Sequence, residues 1–278
     1  VLELWWVVPA AWTVLGYALS WAGLSRAQRA VWVPARIVRV ELPAHGTSKR
    51  PGIPVTLTFH DPATGRELTL ANTGRHGAAV EEAWVGRALE VRYPRGRPHR
   101  FRVVLDPDEK KGRTGPNCAL ILLLVGVVIH AAVARGFPWA LLGFGVLLIA
   151  FAAASPDIRL ARTRDALLAS AVAVPARVVS VTKDVFTDGE GDEIVNHAPV
   201  VTFTTREGVD VTVLCREGIA DLGRSLGRNL TIHYAPSDPA VYTPDPAADR
   251  RDNERSIGVI ILMAIAGVAG VVAGAVTL

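Results

Sequence analysis

The sequence predicts a membrane protein of mixed class: four transmembrane helices and two small β-barrel or β-sandwich domains, SH3-like or OB-like, arranged as a tandem parallel repeat. Three observations predict it. The chain has 278 residues and is 50% hydrophobic, with the apolar residues concentrated in four runs. The stretches between those runs alternate apolar and polar side chains with the period of a half-buried strand. Long matched segments recur 141 residues apart.

The first run, Leu4–Leu24, reads as transmembrane helix 1. Trp5 and Trp6 open it and Trp21 lies near its end, where an aromatic belt would sit. The first β domain covers 33–105. Its opening strand changes phase, from Ala35 and Ile37 to Val38, Val40 and Leu42, which predicts a β-bulge. Val55, Leu57 and Phe59 alternate, as do Leu89, Val91 and Tyr93. Asp61-Pro-Ala-Thr-Gly65 marks a turn, and a short helix is expected over Ala78–Trp84.

Runs two and three, Cys118–Ala134 and Phe137–Ala154, are separated only by Arg135 and Gly136, which forces an antiparallel helical hairpin. The second β domain covers 174–243. It repeats the phase change at Ala176, Val178, Val179 and Val181, with a second short helix expected over Glu217–Ser225. The last run, Ile257–Leu278, carries Gly270-Val-Val-Ala-Gly274, a small-residue stripe that lets helix backbones approach. The four runs contain no Lys, Arg, Asp or Glu. A helix needs about 20 apolar residues to cross a bilayer core. An ordinary soluble enzyme, a disulfide scaffold and a disordered chain are therefore excluded.

Four spans put both termini and Arg135 on one side and both long connections on the other. Fifteen Lys and Arg residues lie near the spans on that second side, Lys110, Lys111, Arg113, Arg159, Arg250 and Arg251 among them. The positive-inside rule then predicts cytoplasmic β domains, termini outside, and a multi-pass protein of the cell membrane. Glu3 and the absence of an N-terminal Lys or Arg speak against a signal peptide. Arg outnumbers Lys by 26 to 4 and the first residue is Val, as expected of a GC-rich gene read from a GTG start.

The repeat is carried by Val33-Pro-Ala-Arg-Ile-Val-Arg-Val40 against Val174-Pro-Ala-Arg-Val-Val-Ser-Val181. Val85-Gly-Arg-Ala-Leu-Glu-Val-Arg-Tyr93 likewise matches Leu226-Gly-Arg-Asn-Leu-Thr-Ile-His-Tyr234. A β domain flanked by spanning helices that opens with the first pattern and closes with Gly-Arg-x-Leu-x-Ile-x-Tyr-x-Pro-x-Asp-Pro resembles the bacterial domain of unknown function 3592. The second copy carries the pattern best, in Val174–Val181, Pro199–Phe203 and Gly227–Pro239. Copy one departs from it, since Tyr93-Pro-Arg-Gly-Arg-Pro98 has no Asp before its last Pro. The resemblance implies membrane association and a β fold, and no activity.

No catalytic, cofactor-binding or metal residues are assigned. Cys118 and Cys215 form no Cys-x-x-Cys pair, and the seven histidines show no metal-ligand spacing. Neither a phosphate-cradling loop nor a Gly-x-Ser-x-Gly elbow occurs, so no enzyme and no cofactor are expected. His130 lies inside run two and reads as a neutral imidazole bonded to a neighbouring helix. Asp184, Asp188, Glu190, Asp192 and Glu193 read as a solvated hairpin tip rather than a calcium loop. Arg36/Arg177 and Arg87/Arg228 are the basic residues shared by both copies, and read as structural.

Charge separates the copies. Region 25–116 has 17 Lys+Arg against 9 Asp+Glu, net +8; region 155–256 has 12 against 16, net −4. Three partners fit such an asymmetry: the other β domain by intramolecular docking, anionic lipid headgroups at the basic first domain, and nucleic acid, the least favoured. The expected function is protein–protein interaction, sensing or scaffolding at the membrane surface with protein partners of unknown identity. The alternative is a component of a transporter or channel.

Overall fold

The structure is a computed structural model that describes residues 4–25, 27–48, 52–72, 80–105, 107–187, 189, 191–215 and 217–278. Among the described residues it has helices and β-sheets, and three helical stretches are long and apolar enough to cross a membrane: Thr114–Arg135, Phe137–Leu168, which the helices Phe137–Ala154 and Asp157–Leu168 share, and Pro246–Val276. The chain divides into a helical unit (Val1–Arg29, Asp108–Thr163, Arg251–Leu278) and a β unit (Ala30–Pro107, Arg164–Arg250).

Within the helical unit, α1 spans Val7–Trp21. This corrects the helix expected over Leu4–Leu24. The chain leaves the helix because Gly23 adopts φ +71, so that Gly23 N–H bonds the Ser20 carbonyl and Leu24 N–H the Leu19 carbonyl. That pair of bonds is a Schellman motif, which only a residue free to take a left-handed conformation makes cheaply. The 15 residues of α1 reach about 22 Å, short of the ~30 Å hydrocarbon core. Helix α2 spans Thr114–Arg135 and runs antiparallel to α1: the Pro116 ring sits against Gly16, and the Trp5 ring covers Gly126. Gly136, at φ +96, turns the chain into α3, Phe137–Ala154, whose Pro138 occupies the first turn where no N–H is needed. A short helix α4, Asp157–Leu168, follows.

The last helix, α5, spans Pro246–Val276 and starts well before the apolar run expected at Ile257. Its glycines meet α3 backbone to backbone. A Cβ on Gly145 would lie 2.6 Å from the Gly267 carbonyl oxygen, and one on Gly274 would lie 2.7 Å from the Leu142 nitrogen. The small-residue stripe therefore packs within the chain.

In the β unit, the first half supplies β1 (Val31–Val40), β2 (Val55–Asp61), β3 (Arg66–Ala71), β4 (Glu82–Trp84), β5 (Ala88–Tyr93) and β6 (Arg102–Val104). The second half supplies β7 (Val172–Thr187), β8 (Glu193–Thr204), β9 (Asp210–Leu214), β10 (Asn229–Ala235) and β11 (Asp238–Thr243). One sheet has the order β3-β2-β1-β5-β6. The other, a nearly closed barrel-like sheet of six strands, has the order β11-β10-β7-β8-β9-β4.

The registers coincide. β1 pairs β5 from Val31↔Tyr93 to Arg36↔Ala88, and β7 pairs β10 from Val172↔Tyr234 to Arg177↔Asn229, every partner displaced by 141. β1 slips against β2 between Ile37 and Arg39, and β7 slips against β8 between Val178 and Ser180, which are the bulges expected from the phase change. A bulge bends its strand, which lets a five-stranded sheet curl over its own core.

Two short helices were expected. Residues 73–79 lie outside the described chain, and Glu82–Trp84 is a strand instead of the end of a helix; Leu222–Arg224 forms only a single 3-10 turn. Strand β4 exists because β9 offers a free edge: Glu82↔Val213, Ala83↔Thr212 and Trp84↔Val211 pair, with Ala83 fully buried. Tertiary pairing here overrides local propensity. The cores interleave as well. Ala198, Val200 and Leu214 from the second half join the core of Ile37, Leu57 and Val91, while Trp84 packs on the core of Val178, Val213 and Ile232.

Candidate functional site

Each half closes on the same aromatic clamp. Phe59 stacks on Tyr93 at 5.7 Å and 34°; Phe203 stacks on Tyr234 at 5.6 Å and 34°. Phe101 and Tyr242 complete the two clusters. The Tyr93 hydroxyl donates to Asp61 Oδ1 at 2.8 Å, and Asp61 also accepts from the Thr64 hydroxyl at 2.8 Å and the Ala63 amide at 3.2 Å. These bonds hold the Asp61-Pro-Ala-Thr-Gly65 turn. The Thr64 hydroxyl, then Tyr93, hold the Asp61 carboxyl below its usual range. Burial, then Asp61, pushes Tyr93 up to about 12. In the second half the Tyr234 hydroxyl accepts from the Arg206 amide at 2.9 Å and donates to Glu207 Oε2 at 3.4 Å. The tyrosine that ends each Gly-Arg segment is thus the fastener of the turn opposite.

The shared arginines divide into two kinds. Arg87 Nη1 donates to the Glu82 carbonyl, lies 3.3 Å from Glu82 Oε2 and covers the Trp84 ring at 4.7 Å. Arg228 Nη1 donates to the Ala220 carbonyl at 2.7 Å. Both tie the approach to a tight Gly-Arg turn, where Gly86 and Gly227 take φ +93 and +77. Arg36 and Arg177 are exposed on outer sheet faces. Arg177 lines an open depression of about 680 Å³ with Pro175, Thr202, Thr204, Asp210 and Asn229. Thr204 donates to Asp210 at 2.7 Å there, leaving a shallow polar surface rather than an enclosed pocket.

The hairpin expected around Asp184–Glu193 is the end of a long β7–β8 ribbon. Its register continues to Thr187↔Glu193, well past the end of the pairing between β1 and β2. Val185, Phe186, Ile194 and Val195 near its tip are 38–46% exposed, on both faces of the ribbon. The signal was available in Val185-Phe186 and Ile194-Val195 flanking the acidic glycine-rich turn. Asp188 and Glu190 of that turn lie outside the described residues. The first half supports the arm's base: Gly46 N–H bonds the Val181 carbonyl, Lys183 N–H the Thr47 carbonyl, and the Ser48 hydroxyl donates to Asp184.

The remaining residues singled out do not converge. His130 faces the Trp5 ring at 6.3 Å rather than a helix carbonyl. Cys118 is exposed on α2, while burial pushes the Cys215 thiol up to about 11, which keeps it protonated and a poor nucleophile at neutral pH. Burial likewise raises Glu82 against the opposing pull of Arg87. Among the described residues no cluster of three or more His, Cys, Asp or Glu could hold a metal ion. Arg164 grips Asp249 with Nε at 3.0 Å and Nη2 at 2.7 Å, and also donates to the Tyr242 carbonyl at 2.8 Å, binding α4 and the start of α5 to β11.

No protein-family model, no curated protein and no solved structure matches the chain.

Proposed function

We propose that the chain is a multi-pass protein of the cell membrane, built by duplication of one helix–β–helix unit, whose paired β halves form a cytoplasmic platform for protein interaction, sensing or scaffolding. The coincident registers at an offset of 141 and the paired bulges support the duplication. The fourth span is α1, extended by the apolar residues that flank it. The domain of unknown function 3592 remains the family this reading favours, on the Pro-Ala-Arg and Gly-Arg segments.

The observation that carries the interaction role is the β7–β8 arm. Its four apolar residues are 38–46% exposed and lie outside both core clusters, and exposed apolar clusters of this kind mark contact surfaces. The test is co-purification of the full chain in mild detergent beside F186S/I194S. The reading expects a partner retained by the parent protein and lost from the variant, with melting temperature unchanged. An identical set of retained proteins would contradict it.

A further inference from the structure

We propose that the β5–β6 turn of the first half is a contact surface for anionic lipid headgroups. The proposal rests on the membrane reading above and adds the chemistry of one surface.

Arg95, Arg97, Arg100 and Arg102 crowd this turn with His99, all five exposed and with no acidic residue between Pro94 and Arg102. Among the described residues none of these four arginines forms an ion pair. The second half serves as an internal control. At the offset of 141 the same positions hold Pro236, Asp238, Val241 and Thr243. The strands nevertheless keep the same register, Arg92↔Arg102 in one half and His233↔Thr243 in the other. The aromatic of the turn is buried in both, as Phe101 on Phe59 and Tyr242 on Phe203. The fold therefore does not require the arginines, and four unpaired guanidinium groups on one turn repel each other unless an anion lies against them.

Lipid fits better than nucleic acid. Binding single strands needs exposed aromatic rings for base stacking, and the turn's own ring, Phe101, is buried. Thr114, where α2 begins, lies twelve positions after Arg102, so the chain cannot carry the turn more than about 40 Å from that point. Lys110, Lys111 and Arg113 continue the basic run up to the helix. Each arginine near an anionic surface is worth about fivefold in binding, and the effect fades within a Debye length.

The test is trypsin cleavage of the full chain in lipid nanodiscs, which expose both membrane faces. Arg97 precedes Pro98 and is not a trypsin site, so the readout is cleavage after Arg95, Arg100 and Arg102, expected to be at least about fivefold slower with about 30% phosphatidylglycerol than in pure phosphatidylcholine. Protection should vanish in about 0.5 M salt, and cleavage after Arg224 should not change. In R97Q/R100Q, protection at the two remaining arginines should fall. Equal rates in both discs would overturn this proposal alone. Protection by a soluble polyanion in neutral discs, with none from lipid charge, would also overturn it. A chain that enters neither disc would overturn the membrane reading and this proposal with it.

Discussion

At the residue scale the most informative groups are those that fasten one segment to another. Asp61 is held ionised by Thr64 and Tyr93, so its folded-state pKa lies below the ordinary carboxyl value of 3.8. A depressed carboxylate contributes stability that is fully present above the unfolded value and is lost as pH falls through the folded one. The β unit should therefore melt at lower temperature as pH drops below 3.8. Tyr93→Phe should flatten that acid limb while lowering the melting temperature at neutral pH; an unchanged limb would contradict the clamp. Arg164→Ala removes the charge-assisted bonds to Asp249 and to the Tyr242 carbonyl and leaves a mostly buried Asp249 carboxylate. Its cost should be about 1–3 kcal/mol, read by chemical denaturation of the detergent-solubilised chain. The tyrosines were visible in the sequence as the last residue of each repeated Gly-Arg segment. Their partners were not, because Asp61 and Arg206 lie far away in sequence and only the folded sheet brings them near.

At the element scale, glycine spacing on α5 and the strand β4 each yield a paired test. Gly267→Ala places a methyl 2.8 Å from the Gly145 carbonyl oxygen and should loosen the packing of α5 on α3. Gly258→Ala in the same helix meets nothing within 4 Å and should stabilise by about 0.5–1 kcal/mol, since glycine weakens a helix interior. Thermal melting of the two variants should move in opposite directions. Ala83→Asp buries an unpaired charge at a position with no exposure, and should speed hydrogen exchange of β9, whose Leu214 amide bonds the Glu81 carbonyl. Unchanged exchange in β9 would mean the halves are not joined there. The strands of both halves were legible from alternation, and the bulges from a phase slip shared by both halves. β4 was not, because three residues carry no period and their state is decided by an edge in the other half.

At the scale of the whole molecule, apolar residues are densest in the helices, and regions 25–116 and 155–256 carry net charges of opposite sign, +8 and −4. Helix existence could be read from composition, but helix ends could not. α1 stops at a glycine cap and α5 begins within a charged stretch, because capping geometry and packing set those limits rather than hydropathy. The candidate contact surfaces were legible only in part: the basic excess of the first half shows in a residue count, and the apolar pairs Val185-Phe186 and Ile194-Val195 show in the sequence, but their exposure on one paired arm does not. The central claim is a pair of repeated units, each crossing the membrane twice, with the β unit inside. It is tested most directly by sided labelling of single-cysteine variants of a Cys118→Ser, Cys215→Ser chain in intact cells. The added cysteine is placed before Leu4, at Gly189 or after Leu278. The account predicts that both ends are labelled from outside and Gly189 only after permeabilisation. An N-terminal site reachable only after permeabilisation, beside a C-terminal site labelled from outside, would show three spans and contradict the repeated topology.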